Sequence, residues 1–205
     1  MTQTCVIADI HGRLDLLRDI ASQVPDGAKV ICLGDYVDRG PESAGVLEFL
    51  RAKQAEGWVC LKGNHEDMMV SAVRDGQGVD MWVMNGGAAT ISSYAPHEDI
   101  MSDVDWVDGL PDQHEDEHRV YVHAMASDVV GAARIWGRYP SGARAYFRKH
   151  VVHGHTPGKV PEFVADRTNL DTGACWTGML SMGIFNDDEP GGPIAIRVAK
   201  GATGG

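Results

Sequence analysis

The sequence predicts a single domain of layered α/β architecture. In the first third of the chain, short apolar runs rich in β-branched residues alternate with segments whose apolar residues recur at helical spacing. The apolar runs cover residues 4–8, 29–33 and 58–61. An order of β-α-β-α-β implies parallel strands, because the chain must cross back over the sheet between them. Hydrophobic residues make up 43% of the 205 positions, which is enough to fill one core.

Two helical segments separate these strands. Pro41 stands where the second begins, and Gly27 and Gly57 follow the segment ends, as expected for helix starts and stops. Apolar residues on one face of each segment are expected to pack on the sheet. They are Leu14, Leu17 and Ile20 in the first segment and Val46, Leu47 and Leu50 in the second.

Residues 64 to about 110 are also predicted to be helical, with a stripe of methionines and one tryptophan interpreted as core rather than as a ligand-binding set. The stripe consists of Met68, Met69, Val73, Met81, Trp82 and Met84. Residues 112–118 are rich in charge and predict a solvated loop. Its histidines, His114 and His118, are expected to be exposed rather than bound to metal.

The second half of the chain returns to short apolar runs separated by Gly and Pro turns. Strands are predicted at residues 119–122, 150–152, 168–170, 179–182 and 194–196. The last residues are rich in glycine. We therefore expect one domain over residues 1–198 and a flexible tail over residues 199–205.

Composition excludes several classes of function. A formal net charge of -11 argues against a protein that grips a nucleic-acid duplex, because that mode of binding needs clustered Lys and Arg. No stretch approaches the roughly 18 apolar residues that span a bilayer, and no secretory signal is visible, so we expect a cytoplasmic protein. No obligate protein partner is predicted. The four cysteines are widely spaced and are interpreted as buried, reduced core residues.

Four short polar motifs carry the chemistry of the chain. Each of the first three follows directly on an apolar run, at the strand edge where open α/β sheets place their ligands. A lone His123 lies between the third motif and the fourth. The motifs are Asp9-Ile10-His11-Gly12, Gly34-Asp35-Tyr36-Val37-Asp38-Arg39-Gly40, Gly63-Asn64-His65-Glu66 and His153-Gly154-His155-Thr156.

Together the motifs supply ligands for two adjacent metal ions. Asp9 and His11 can converge on one cation, and the two oxygens of Asp35 can bridge it to a second. Asn64, His123 and a histidine of the fourth motif can complete the second site, although the sequence alone leaves open whether that histidine is the first or the second of the motif. Mixed oxygen and nitrogen ligands suit Mn, Fe, Zn, Co or Ni better than Ca, and manganese is favoured.

Paired cations of this kind predict hydrolysis of phosphate esters. They acidify a water, hold phosphoryl oxygens and stabilise charge in an in-line displacement. His65 is the natural general acid for the leaving oxygen, Asp38 is the carboxylate that orients it, and Arg39 can fork onto two phosphate oxygens. Taken singly, Asp9 could be a helix cap and His123 a core histidine. The conjunction of motifs favours the metal site.

At these residues the chain resembles the calcineurin-like metallophosphoesterases, in particular the phosphoprotein phosphatase group that includes bacteriophage lambda phosphatase and bacterial Ser/Thr phosphatases. Residues 82–87, 135–138 and 171–174 also look like segments of these enzymes. The resemblance covers nearly the whole chain. It implies a β-sandwich of mixed sheets flanked by helices, classed as α/β or by some schemes α+β, in place of a simple doubly wound sheet.

The resemblance also implies a role for each site residue. It assigns His155 as the histidine ligand of the fourth motif, and it pairs His65 with Asp38 as the acid. Arg39 and Arg138 match arginines that hold phosphate, together with Asn64. Lys62 stands where the lambda-like pattern has an arginine that holds phosphate. The lysine keeps the positive charge but lacks the two parallel donors of a guanidinium group. The implied metal ligands are Asp9, His11 and Asp35 for one ion, and Asp35, Asn64, His123 and His155 for the other.

The function implied is that of a phosphomonoesterase acting on phosphoserine or phosphothreonine in proteins, with phosphotyrosine as a further candidate. Hydrolysis would proceed in one step, by attack of a hydroxide bridging the metals. The alternative is a hydrolase that cleaves dinucleoside tetraphosphates symmetrically. This alternative stays open because the motifs recognise the phosphate group and not the group attached to it. A non-catalytic docking module is disfavoured, since such a module would be expected to have lost ligands.

Overall fold

The computed structural model describes residues 2–94 and 99–203, and it consists of two mixed five-stranded sheets flanked by helices. The first sheet has the strand order β10-β9-β1-β2-β3, in which β1, β2 and β3 are parallel and β9 and β10 are antiparallel to their neighbours. Its strands are β1 (Gln3–Ile7), β2 (Lys29–Cys32), β3 (Val59–Cys60), β9 (Met179–Asn186) and β10 (Ala195–Lys200).

The second sheet has the order β4-β5-β6-β8-β7, with a parallel centre formed by β5, β6 and β8 and an antiparallel strand at each edge. Its central strands are buried, as the sandwich requires. The strands are β4 (Gln113–Glu115), β5 (Arg119–Val122), β6 (His150–His153), β7 (Glu162–Val164) and β8 (Arg167–Asn169).

Helices cover the outer face of the first sheet and carry the chain between its strands. The longest are α1, α2, α3 and α6, and a π-helical turn joins α4 to α5. The helices are α1 (Leu14–Ser22), α2 (Ser43–Ala55), α3 (Asn64–Asp75), α4 (Val79–Trp82), α5 (Ala88–Ser93), α6 (Ile100–Asp108), α7 (Ala133–Trp136) and α8 (Ala174–Thr177), and the π-helical turn is Val83–Gly87. None of the helices in the described part of the chain is long and apolar enough to cross a membrane.

Side chains alternate between the two faces of the first sheet, and each face contributes to a separate hydrophobic cluster. In β1, Cys5 and Ile7 point to the helices, whereas Val6 and the following Ala8 point to the second sheet. Tyr121 of β5 meets this inner face and belongs to the same buried cluster. Because both faces of the sheet are covered here, the run from Cys5 to Ala8 is continuously apolar rather than alternating. The first sheet is therefore the rigid platform from which the loops with polar motifs emerge.

The β-α-β-α-β unit and the mixed-sheet sandwich are confirmed. All four cysteines are buried and free. Within the middle segment, Met68, Met69 and Trp82 are buried as predicted. The core interpretation is wrong for Met81 and Met84, which are 51% and 86% exposed, because the short α4 and the π-helical turn present them to solvent.

Two differences from the sequence analysis concern residues 112–118 and the C-terminal end of the domain. Residues 112–118 are not a simple loop, because Gln113–Glu115 forms β4 and pairs with β5. His114 and His118 are consequently half-buried, and neither belongs to a group of potential metal ligands among the described residues. The last strand, β10, continues to Lys200 and buries Ala199, so the domain extends two residues into the predicted tail.

The side chain of Glu66, at the start of α3, fixes two loops at once. Its Oε2 accepts the backbone N–H groups of Asp35 (2.8 Å) and Gly63 (2.9 Å), and its Oε1 accepts those of Tyr36 (2.7 Å) and Val37 (3.2 Å). The bond to Gly63 is the backward half of a capping box. Burial raises the pKa of Glu66 to about 7, and nearby Asp35 adds to this, while the amides oppose it. One carboxylate thus satisfies four buried donors.

Replacing Glu66 by Gln should lower the free energy of unfolding by about 2 kcal/mol or more, because an amide nitrogen would face backbone donors that have no other acceptor. Urea unfolding measures this change. The neighbouring Asp67→Asn is the matched control, since Asp67 is only partly buried and its Oδ2 accepts a long bond of 3.5 Å from Trp136 Nε1. Equal stability of the two variants would contradict the role given to Glu66.

Candidate metal centre

The polar motifs meet at one edge of the sandwich. Asp9, Asp35 and Asn64 follow β1, β2 and β3, and His123 and His155 follow β5 and β6 of the second sheet. All five strands point the same way within their sheets, so their carboxyl ends lie together. The five side chains are buried. Residues separated by as many as 146 positions in the sequence therefore line one pocket.

The loops that carry the site are backbone-strained. Non-glycine residues seldom adopt positive φ, because Cβ then crowds the backbone. Among the described residues seven do so, and six of them belong to the motifs. Such strain persists only where the surrounding structure holds it, and it is typical of functional sites. The six residues are Asp9, His11, Asp35, Asp38, Arg39 and His155.

Backbone bonds and close approaches hold the loops against one another. The N–H of His11 donates to the carbonyl of Asp35 (2.9 Å), and that of Gly12 donates to Tyr36 (2.8 Å). Gly154 lies against the side chain of Asp9, so that a Cβ at this position would collide with the carboxylate. The glycine of the fourth motif is therefore needed for the approach of the second sheet to the first.

The first group of potential ligands consists of His11, Asp35 and His65. Asp35 Oδ2 lies 3.5 Å from His11 Nε2 and 3.9 Å from His65 Nε2. His11 Nδ1 lies 2.8 Å from the carbonyl of Val37 and donates to it, which leaves the Nε2 lone pair directed into the pocket. A carbonyl partner of this kind is the usual support for a metal-binding histidine.

The second group consists of Asp35, His123 and His155, with Asn64 between the two imidazoles. Asp35 Oδ1 lies 3.4 Å from His123 Nε2. Asn64 Oδ1 lies 3.0 Å from His123 Nε2 and 2.8 Å from His155 Nδ1. His123 Nδ1 donates to the carbonyl of Leu33 at 3.0 Å, so its Nε2 is free to bind a cation.

Asp35 is the residue shared by the two groups, one oxygen facing each. Burial alone would raise the pKa of its carboxyl group, but the facing imidazoles of His123, His65 and His11 outweigh burial and hold the pKa well below its usual range. Asp35 is therefore ionised at neutral pH. A carboxylate in this position is suited to bridge two cations.

Asp9 lies beside the two groups without belonging to either. The N–H of His155 donates to both of its carboxylate oxygens, at 3.0 and 3.1 Å. Burial raises the pKa of Asp9 well above its ordinary value, and the charges of Asp171 and Asp35 raise it further. Three buried carboxyl groups so close together are unfavourable without positive charge. A pair of divalent cations would supply that charge, so the donor set fits such a pair.

His65 is held by a buried carboxylate. Its Nδ1 lies 2.6 Å from Asp38 Oδ2, and Asp38 is wholly buried. Burial lowers the pKa of the imidazole, but Asp35 and the bond to Asp38 more than compensate, so the pKa of His65 is raised above its ordinary value. Asp38 is itself fixed by Trp82 Nε1 (3.0 Å) and Thr90 Oγ1 (2.7 Å). The sequence analysis missed this role of Trp82 and missed Thr90, and no local signal connects either residue with Asp38.

The basic residues predicted to hold phosphate are placed differently from one another. Arg39 extends into the pocket, with Nη1 2.6 Å from His11 Nε2 and Nη2 2.8 Å from His65 Nε2. Arg138 lies at the rim and donates to the carbonyl of His155 at 3.3 Å. Lys62 does not join the site as expected. Its Nζ donates to the backbone and side-chain oxygens of Asp108, at 2.7 and 2.9 Å, because the chain at Lys62 runs towards the end of α6.

Asp171 is a site neighbour to which the sequence analysis gave no role, although the segment 171–174 was noted in the resemblance. It is buried, and its Oδ1 accepts the N–H of Gly173 at 2.8 Å. Burial raises its pKa to about 7, and Asp35 contributes to the rise, while Arg39 and Arg138 oppose it. Asp171 therefore lies close enough to Asp35, Arg39 and Arg138 for their charges to affect its pKa.

Of the histidines in the fourth motif, the structure brings His155 into the second group and leaves His153 outside it. His153 Nε2 lies 3.1 Å from Arg167 Nη1, and its ring packs on Tyr139. His150 is likewise engaged elsewhere, with Nε2 2.9 Å from Thr168 Oγ1. Both residues support the second sheet rather than the pocket.

Curated relatives that share extended similarity with the chain include proteins with two different names. Serine/threonine-protein phosphatase 2 of Escherichia coli (strain K12) is 30% identical over 159 residues, which span 71% of this chain and 62% of the relative. The chain thus spans less than two thirds of that relative. An asymmetrical bis(5'-nucleosyl)-tetraphosphatase of Bacillus velezensis is 27% identical over 225 aligned positions, which cover 90% of this chain and 89% of the relative.

Comparison of folds and family profiles agrees with the motif-based resemblance. A metallophosphoesterase from Sphaerobacter thermophilus superposes with a TM-score of 0.68 at 18% identity, over 98% of this chain and 89% of that one, which shows a common fold. The profile described as calcineurin-like phosphoesterase matches residues 2–183. With this match and the paired ligand groups at its strand ends, the chain belongs to the calcineurin-like phosphoesterase family, whose members bind two metal ions.

Proposed function

We propose that the protein is a manganese-dependent phosphomonoesterase that hydrolyses phosphoserine and phosphothreonine in proteins, with phosphotyrosine as a further substrate. The observation that carries the proposal is the placement of His65, which is bonded to Asp38, against Asp35, the carboxylate that the two ligand groups share. The name of the Escherichia coli relative, a serine/threonine-protein phosphatase, supports the substrate class. A cytoplasmic location stays a prediction.

In this proposal the two ions, when bound, acidify a water and hold the phosphoryl oxygens. Their ligands come from this chain's own loops, which are strained into position by the sandwich. The first ion would be held by Asp9, His11 and Asp35, and the second by Asp35, Asn64, His123 and His155.

His65 supplies the proton that the leaving alkoxide needs. A guanidinium group only donates, so both Nε2 atoms that contact Arg39 accept from it in this structure. A phosphate entering the pocket would take over these two donors, since the guanidinium fork fits two phosphate oxygens. Nε2 of His65 would then be free to carry a proton and transfer it to the leaving oxygen. Asp38 would hold Nδ1–H throughout and stabilise the charged ring.

A second candidate is hydrolysis of a dinucleoside tetraphosphate. The Bacillus velezensis relative, which aligns over most of the chain, is named for this substrate. The name refers to asymmetrical cleavage, whereas the sequence analysis expected symmetrical cleavage, so the products of the reaction need to be identified. Turnover of a phosphopeptide and of diadenosine tetraphosphate over a manganese titration separates the two functions. A preference of about a hundredfold in kcat/KM, or about 2.7 kcal/mol, decides between them.

Replacing Asp35 by Asn should remove both bound ions, because each group would lose the same charged oxygen donor. Elemental analysis of protein loaded with manganese and then freed of excess metal measures this loss. We expect about two ions per wild-type chain and fewer than one in the variant. Asp19→Asn, which changes an exposed carboxylate on α1, is the control and should keep both ions. Retention of two ions by Asp35→Asn would refute the shared-ligand arrangement.

Replacing His65 by Asn should lower kcat on phosphoserine peptides by about 10²- to 10⁴-fold, because an alkoxide departs slowly without a proton. The loss should be smaller on p-nitrophenyl phosphate, whose leaving group needs no proton. Steady-state kinetics on both substrates, with metal content measured in parallel, gives the comparison. His118→Asn, a change outside the pocket, serves as the control. Equal losses on the two substrates would rule out His65 as the acid.

A further inference from the structure

A cleft with a volume of about 730 Å³ opens directly beside Arg39. A space of this size is in the usual range for small-molecule sites. Pro41, Ala89, Cys175 and Trp176 contribute apolar surface to its lining. Neither the ligand groups nor the acid pair described above requires this cleft.

Trp176, in α8, is the largest apolar side chain of the cleft and is 51% exposed. Its backbone N–H donates to the carbonyl of Gly173 at 2.9 Å. The edge of the indole ring also lies close to the place that a Cβ of residue 173 would occupy, and Gly173 leaves this place empty. The guanidinium carbon of Arg39 lies 4.7 Å from the centre of its ring. The ring is therefore anchored at one edge, covered in part by Arg39, and half-exposed along the cleft that it lines.

Arg39 links this ring to the acid. The same guanidinium contacts His65 Nε2 at 2.8 Å and stacks on Trp176. A phosphate held by Arg39, with its leaving oxygen at His65, would therefore lie beside the guanidinium that contacts Trp176. The group attached to the leaving oxygen would have the indole ring within its reach.

The polar lining of the cleft does not favour a second phosphate there. Arg13 is the other basic residue of the lining, and its guanidinium is already committed. Nε and Nη2 donate to the two carboxylate oxygens of Asp15 at 2.9 and 2.7 Å, and Nη1 donates to the carbonyl of Ala174 at 3.0 Å. An uncharged planar group suits this surface better than an anion.

We propose that the cleft beside Trp176 is a subsite for a planar aromatic ring carried by the leaving group of the phosphate ester. The inference rests on the proposed function, because it takes Arg39 to be the residue that holds the phosphate. Stacking of the ring on the indole would strengthen the binding of aryl or base-bearing substrates, in addition to the phosphoserine and phosphothreonine that the phosphate site alone accepts. Trp176 is thus a specificity-determining residue, with no part in bond cleavage.

Binding of two phosphonates that cannot be hydrolysed tests the subsite without relying on turnover. Calorimetric titration of the manganese-loaded protein should show phenylphosphonate binding about ten-fold more tightly than methylphosphonate, as expected for one stacked ring. Trp176→Ala should abolish this preference, so that the two phosphonates bind with equal affinity, whatever effect the loss of the stacking on Arg39 has on both. Trp176→Phe should largely restore the preference. Trp136→Ala is the matched control, since Trp136 is 40% exposed and lines a different cleft, and it should keep the preference.

A preference that is absent in the wild type, or that survives Trp176→Ala, would overturn the subsite and leave the proposed phosphatase intact, provided that methylphosphonate binds. Failure of both phosphonates to bind would overturn the proposed phosphate site, and the subsite with it. The two failures are thus distinguishable.

Two pairs of substrates show whether the ring that occupies the subsite is a tyrosyl ring or a nucleobase. One compares phosphotyrosine with phosphoserine peptides, and the other compares diadenosine tetraphosphate with tripolyphosphate. A ten-fold loss of kcat/KM in Trp176→Ala that is confined to phosphotyrosine identifies a tyrosyl ring, and one confined to the dinucleotide identifies a nucleobase. A loss on neither aromatic substrate would contradict the proposal.

Discussion

The carboxylate of Glu66 accepts four backbone N–H groups that belong to two different loops, and the geometry of the pocket depends on this interaction. Three of the donors lie in the segment 35–37 and the fourth is Gly63, immediately before Asn64. The loop after β2 and the loop after β3 are therefore fixed to one buried point. Because an unsatisfied buried amide is costly, neither loop can relax independently of the other. Asp35, Asn64 and His65, which these two loops carry, depend on Glu66 for their positions.

The electrostatics of the pocket follow from this fixed frame. Asp35 is held between imidazoles that stabilise its charge, and each of its oxygens faces a separate group of nitrogen donors. Asp9 and Asp171 are held close by, where burial and repulsion from Asp35 raise their pKa values. Such an arrangement is stable when cations balance it. The negative charge of these carboxyl groups is unfavourable by itself in a buried pocket. The same negative charge favours tight binding of metal ions.

Much of this site could be predicted from the sequence, because strand signals end directly before Asp9, Asp35 and Asn64 and strand ends meet at one edge. Choosing between His153 and His155 required either a family resemblance or the fold, since the two lie only two positions apart, one at the end of β6 and the other just after it. The support of Asp38 by Trp82 and Thr90 could not be predicted, because it depends on how α4 and α5 fold back over the loop. Lys62 was misplaced for a similar reason: Asp108, its partner, is 46 positions away.

The most direct measurement of the central claim is anomalous X-ray diffraction from crystals of the manganese-loaded protein. Our account predicts two manganese peaks about 3.5–4 Å apart, one on each side of the Asp35 carboxylate. The first should lie next to His11, and the second should lie between His123 and His155. A single peak, or peaks that do not contact Asp35, would contradict the account.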